Sequence, residues 1–324
     1  MHQAWLLFLL SALLVYLAGT RLTSSAQVIA RETGLGGLWV GLVILPLSTS
    51  LPELISSWRA ISIGAPDLAA GNFLGSNLFN FFIIALIDLV QGRGSLFNLI
   101  SQRHKVAVAA IALMSLLFMA GVLLPGLPGP ISPVTPLLFL VYLGAGRLLM
   151  NPGSRGKASA RRPFRGHLSR ALVTYLVSSA LIVVAAVNLA DAAETLAEVT
   201  GLGRTFMGSF LLAISTSLPE VVTTTTAARL GALDMAVGNV LGANMFNLAL
   251  LLPLDLIHPE GSFLQVLSPQ HLITAVMGIV LASLVYLGLA RPSRVQLGDV
   301  GLNSFFIAVG YVFAIGVLYL WGVK

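Results

Sequence analysis

The 324 residues are 57% hydrophobic and only 9% charged, with a formal charge of +6 and no cysteine. A soluble domain carries about 25% charged residues because its surface faces water, so this chain, with a mean hydropathy of +0.93, reads as an all-α membrane protein in a lipid bilayer. The absence of cysteine excludes disulfides and thiolate metal sites, and the placement of the basic residues in short loops between apolar runs argues against nucleic acid as a partner.

A hydrocarbon core takes about 20 helical residues to cross. On that measure ten spans are expected, at about 4–30, 37–60, 67–91, 106–124, 134–150, 170–199, 205–228, 234–257, 271–289 and 302–321. The N-terminal stretch Met1–Gly19 has no Lys or Arg ahead of its apolar run, so it reads as part of the first span rather than as a signal peptide. Longer linkers separate the spans at Gln91–Lys105, Pro125–Pro133, Asn151–Arg170 and His258–Gln270. The chain thus divides into residues 1–150 and 171–324, five spans each, joined by a basic linker at 151–170. One set of alternate loops holds 14 of the 18 Lys and Arg residues. Positive charge stays in the cytoplasm, so the expectation is a multi-pass inner-membrane protein with both termini outside and the 151–170 linker cytoplasmic.

The two halves repeat. Leu35–Asn80 aligns with Leu202–Asn247 at a constant offset of 167 residues without a gap, and 22 of 46 positions are identical. Ser48-Thr49-Ser50-Leu51-Pro52-Glu53 recurs as Ser215-Thr216-Ser217-Leu218-Pro219-Glu220, and the Gly71-Asn72, Gly75, Asn77 and Phe79-Asn80 positions recur at Gly238-Asn239, Gly242, Asn244 and Phe246-Asn247. Five spans separate equivalent helices, an odd number, so the copies are expected to cross the bilayer in opposite senses, as inverted five-helix repeats.

The identical residues are polar, although a bilayer penalises polarity. Glu53 and Glu220 fall midway along their spans, where an ionisable side chain costs several kcal/mol and usually marks an ion pathway. Pro52 and Pro219 each remove a helical N–H and clash with the carbonyl four residues back, that of Ser48 or Ser215. Each break therefore sets a Ser-Thr-Ser stretch of oxygens beside a carboxylate, the all-oxygen setting that hard cations favour. Ser76 and Asn80, four apart, share one helix face, as do Ala243 and Asn247. The repeated glycines read as small-residue packing faces. Asn72, Asn77, Asn239 and Asn244 suit either ligands or hydrogen bonds between helices. Asp67 and Asp234 read as helix N-caps. Asp88 and Asp255 read as interfacial residues near span ends, and His104, His258 and His271 as solvated loop residues.

These blocks resemble the α-repeats of the Ca²⁺:cation antiporter superfamily, particularly its prokaryotic sodium/calcium exchanger branch, whose motif has the form G-T-S-x-P-E followed by G-N-x-x-G-S-N-x-x-(N/D). The resemblance implies that Thr49, Ser50, Glu53, Ser76 and Asn80 join Thr216, Ser217, Glu220 and Asn247 in binding Ca²⁺ and Na⁺ alternately as substrates, while the first and sixth spans slide past the core. The chain departs from the motif at its leading Gly, which is Ser48 and Ser215 here. It departs again in the second repeat, where Ala243 and Asn247 replace the Ser and Asp of the archaeal type. Two glutamates still neutralise one divalent ion, but the lost acid and hydroxyl weaken the case for several Na⁺ bound together. Ca²⁺/H⁺ exchange is the rival within transport, and a cation channel is the rival outside it. No enzyme is expected, because no zinc motif, nucleophile–base pair or cofactor loop occurs, and the oligomeric state is left open, with a monomer as one option.

Overall fold

The computed structural model describes residues 2–92, 94–124, 131–150, 165–199, 215–259 and 261–322. Its helices in chain order are α1 (His2–Thr33), α2 (Gly37–Thr49), α3 (Leu51–Ser62), α4 (Pro66–Gln91), α5 (His104–Leu123), α6 (Val134–Leu149), α7 (Arg165–Val199), α8 (Leu218–Arg229), α9 (Leu233–Ile257), α10 (His271–Ala290) and α11 (Leu302–Gly322). Seven of these are long and apolar enough to cross a membrane, and the bent pair α2–α3 makes an eighth crossing if counted as one span. The expected fifth span corresponds to α6, which at 16 residues is shorter than that length. Much of the expected seventh span, at 205–214, lies outside the described residues, as does most of the basic linker. Long apolar helices with rows of exposed Leu, Val and Phe on their outer faces make this a multi-pass membrane protein.

The chain packs as two compact units, each drawing on both sequence halves. One comprises Met1–Pro52 and Met150–Val240, the other Glu53–Leu149 and Leu241–Lys324.

In the first unit α1 lies along α7 and also against α8. Val15, Ala185, Ala186 and Val222 form the shared core, with Leu14 and Leu218 at its margin. Small residues set the helix spacing. A Cβ on Gly19 would stand 2.8 Å from Val222 Cγ1, and one on Gly238 would stand 2.8 Å from the Leu38 carbonyl oxygen. A Cβ on Gly41 would overlap the Met235 carbonyl oxygen. Gly41 sits in a π-helical turn, Val40–Ile44, that interrupts α2.

In the second unit α4 packs against α10 and α11, and α5 against α6 and α10. Pro66 opens α4, and Gly92 closes it in a left-handed conformation (φ 58°) with its N–H on the Asp88 carbonyl. Asp88 and Asp255, near the ends of their helices, are buried within the protein, with 0% and 1% exposure. The Asp88 carboxylate accepts the backbone N–H of Leu96 at 2.7 Å, that of Gly301 at 2.8 Å, and the Gln91 side-chain amide at 3.1 Å. The Asp255 carboxylate accepts the N–H of Phe263 at 2.6 Å, that of Ser132 at 2.7 Å, and the Thr135 hydroxyl at 2.7 Å. Each acid thereby ties a 3₁₀ turn, Leu96–Asn98 or Phe263–Gln265, to the entry of another helix, α11 or α6. Asp67 is not a helix cap. It accepts the Ser268 N–H at 2.7 Å and faces His271 Nε2 at 3.0 Å. His104, expected in solvent, is fully buried.

Candidate functional site

The polar breaks expected around the two prolines are present and alike. Ser50, between α2 and α3, has φ −93°, ψ 4°, and Ser217, ahead of α8, has φ −90°, ψ 4°. That bridge region is sparsely populated and often holds functional residues. At Ser50 the axis bends by 41°. Pro52 and Pro219 have no N–H to give the Ser48 and Ser215 carbonyls. Ser217 makes no side-chain cap on the helix that follows, and Ser50 Oγ reaches Glu220 in the other repeat.

The first unit holds Thr49, Ser50, Thr216, Ser217 and Glu220, each no more than 1% exposed. It brings a hydroxyl of the first repeat to the second repeat's acid. Ser50 Oγ donates to Glu220 Oε1 across a long 3.4 Å, while the neighbouring Thr49 hydroxyl donates to the Leu45 carbonyl at 3.3 Å. Glu220 Oε2 is buried with no protein partner, so an acceptor oxygen remains for a cation. Thr223 donates to the Pro219 carbonyl at 2.7 Å, and Asn239 donates to the hydroxyls of Thr223 and Thr224, both at 2.9 Å.

Helix α2 is also tied to α7. Tyr175 donates its hydroxyl proton to the Ile44 carbonyl at 2.6 Å. Ser48 Oγ lies 2.7 Å from the Tyr175 hydroxyl and 2.7 Å from Ser179 Oγ. Since the single Tyr proton is committed to Ile44, the bonding runs from Ser179 to Ser48 to Tyr175 to the Ile44 carbonyl. The sequence reading missed this chain, whose signal is the Ser that replaces the motif's leading Gly.

The second unit holds Glu53, Ser76, Asn80 and Asn247, all buried to within 1%. Glu53 and Glu220 thus fall in different units. The Glu53 carbonyl accepts Asn72 Nδ2 at 3.2 Å, and Asn72 also donates to Ser57 at 3.1 Å, as Asn239 does to Thr224 at the repeat-equivalent position. Asn77 Nδ2 donates to the Asn244 carbonyl and Asn244 Nδ2 to the Asn77 carbonyl, both at 3.2 Å. Asn80 Nδ2 donates to Asn244 Oδ1 at 2.9 Å, and Asn247 Nδ2 to Asn77 Oδ1 at 3.1 Å. Asn72, Asn77 and Asn244 are therefore hydrogen bonders between helices, whereas Asn239 spends its nitrogen on Thr223 and Thr224 and keeps a buried Oδ1 without a protein partner. Asn80 and Asn247 spend their nitrogens on that network and keep buried Oδ1 atoms without a protein partner, the atoms a cation needs. Ala243 is buried and offers no oxygen.

The glycine faces behave differently in the two repeats. A Cβ on Gly75 would meet nothing within 4 Å among the described residues, and one on Gly71 only His271 Cε1 at 3.7 Å. Gly238 alone of these three makes the close approach expected of a small-residue face. Among the described residues no three of His, Asp and Glu cluster as a metal site.

A family model described as sodium/calcium exchanger protein matches residues 3–146 and again 170–321. Inner membrane protein YrbG of Escherichia coli (strain K12) is 30% identical over 305 residues, 91% of this chain and 92% of that protein. Sodium/calcium exchanger MaX1 of Methanosarcina acetivorans is 28% identical over 287 residues, 78% of this chain and 82% of that one. A solved structure of the sodium–calcium exchanger NCX_Mj superposes with a TM-score of 0.77 over 97% of this chain and 98% of that one, at 20% identity, a likeness of fold.

Proposed function

The chain belongs to the sodium/calcium exchanger protein family, a family of cation antiporters, and from that premise we propose that it exchanges Ca²⁺ for Na⁺ by alternating access. The substrate ions bind at a midplane site to which both repeats contribute. Thr49, Ser50, Glu53, Ser76, Asn80, Thr216, Ser217, Glu220 and Asn247 supply the oxygens. Ca²⁺ takes six to eight such ligands, and the two glutamates match its charge. The observation that carries this reading is Glu220, buried and hydrogen-bonded to Ser50 of the other repeat with one carboxylate oxygen left over.

In this reading residues 1–150 and 171–324 are inverted five-span repeats, ten spans in all, with both termini outside the inner membrane and the 151–170 linker in the cytoplasm. The reciprocal Asn77–Asn244 bonds support a local two-fold relation between the repeats, and with that axis in the membrane plane the paired helices run antiparallel. Alternating access then amounts to the two repeats exchanging roles around a fixed site.

The test is ⁴⁵Ca²⁺ uptake into proteoliposomes under outward Na⁺, K⁺ or H⁺ gradients. Uptake driven by Na⁺ alone is the expected result, and uptake driven by H⁺ in Na⁺-free buffer would transfer the coupling to protons. Glu53→Gln and Glu220→Gln keep the side-chain volume and remove the charge. Each is expected to abolish Na⁺-driven uptake while the protein still elutes as a folded species. Near-normal uptake by both variants would refute the site.

A further inference from the structure

We propose that Tyr175 is a positioning residue that acts through Ser48 to hold the Ser50 hydroxyl against Glu220, and that it does so in one repeat only. The proposal rests on the ion-exchange reading above. Pro52 deprives the Ser48 carbonyl of its helical N–H donor, so the residues from Ser48 to Ser50 lose backbone restraint from the C-terminal side. Side-chain bonds take over that restraint. The Ser179–Ser48–Tyr175 chain runs at 2.7 Å per link and ends on the Ile44 carbonyl at 2.6 Å, at the end of the π-helical turn. Tyr175 and Ser48 are buried, at 8% and 4% exposure, so water does not compete for these bonds. A serine where the motif has glycine therefore has a function here: it is the middle link.

The second copy cannot repeat this device. Helices α1 and α7 align at the same 167-residue offset as the rest of the repeat, with Ala4, Leu9, Ser11, Leu14, Ala18 and Leu22 matching Ala171, Leu176, Ser178, Leu181, Ala185 and Leu189. The positions equivalent to Tyr175 and Ser179 are Phe8 and Ala12. Neither side chain has a hydroxyl to offer Ser215. Only the half-site bearing Thr49 and Ser50 is braced by a tyrosine on the packed helix.

Tyr175→Phe removes one oxygen and leaves the ring. A buried hydrogen bond of this kind is worth about 0.5–1.5 kcal/mol, or roughly threefold to tenfold in an equilibrium constant. The expected result is a KM for Ca²⁺ uptake raised by about that factor with Vmax close to wild type, and a melting temperature in detergent lowered by about a few degrees at most. Ser48→Ala cuts the same chain at its other link and should give the same split, and the double variant should add little, because the two changes remove one shared interaction. An unchanged KM in both single variants overturns the proposal. So does a fall in Vmax that tracks a loss of folded protein, which is the mark of a purely structural bond. The wild type measured alongside tests the exchange reading separately. Should it carry no Ca²⁺, the bracing is read directly as amide hydrogen exchange at Thr49 and Ser50, expected to quicken in Tyr175→Phe; equal exchange in the two proteins overturns it.

Discussion

Asp88 and Asp255 show what a buried acid looks like when its oxygens are already engaged by the protein. Each carboxylate is filled by backbone and side-chain donors, three apiece, whereas Glu220 keeps an oxygen with no protein partner. The two kinds of acid should answer mutation differently. Asp88→Ala and Asp255→Ala leave buried donors without acceptors, at a cost of about 1–3 kcal/mol each, so both variants should melt several degrees lower in detergent. Glu220→Gln should melt close to wild type and lose transport. Sequence position alone did not separate these classes. All four acids lie at repeat-equivalent positions in apolar runs, and only the structure reveals which oxygens are already engaged. The same limit explains His271. A histidine one residue past a linker reads as solvated, yet Asp67, 204 positions away in sequence, faces it at 3.0 Å.

The elements were largely legible. Long apolar runs gave α1, α4, α5, α7, α9, α10 and α11 within a few residues of their observed ends, because a bilayer leaves the backbone few alternatives to helix. The proline breaks were legible for the same reason, since a missing N–H acts locally. What escaped was the π-helical turn at Val40–Ile44 and the role of individual glycines. These depend on which surface faces each residue. Gly41 and Gly238 sit against carbonyl oxygens, whereas Gly75 faces open space among the described residues. Gly41→Ala and Gly238→Ala are therefore expected to lower the yield of monodisperse protein in size-exclusion chromatography several-fold, by pushing the packed backbones apart. Gly75→Ala is expected to elute like wild type. A well-behaved Gly41→Ala would mean that α2 and α9 do not approach as closely as the structure places them.

For the molecule as a whole, the orientation inferred from Lys and Arg is open to a direct measurement, because the chain contains no cysteine. His2→Cys should react with a membrane-impermeant maleimide in intact spheroplasts, and Ser154→Cys only in inside-out vesicles; the reverse pattern would invert the topology. The duplication was plain in the sequence, yet the compact units do not follow it, since each takes residues from both halves. Repeat boundaries are a record of descent, whereas packing units are set by which surfaces meet, and the second cannot be read from the first. The asparagine network bears on that history. Asn77 and Asn244 each cover the other's main-chain carbonyl, so a substitution in one copy strips a polar atom in its sister. The two halves, expressed as separate polypeptides, should therefore co-purify from the same membrane, and an Asn77→Ala or Asn244→Ala change in one of them should weaken that association.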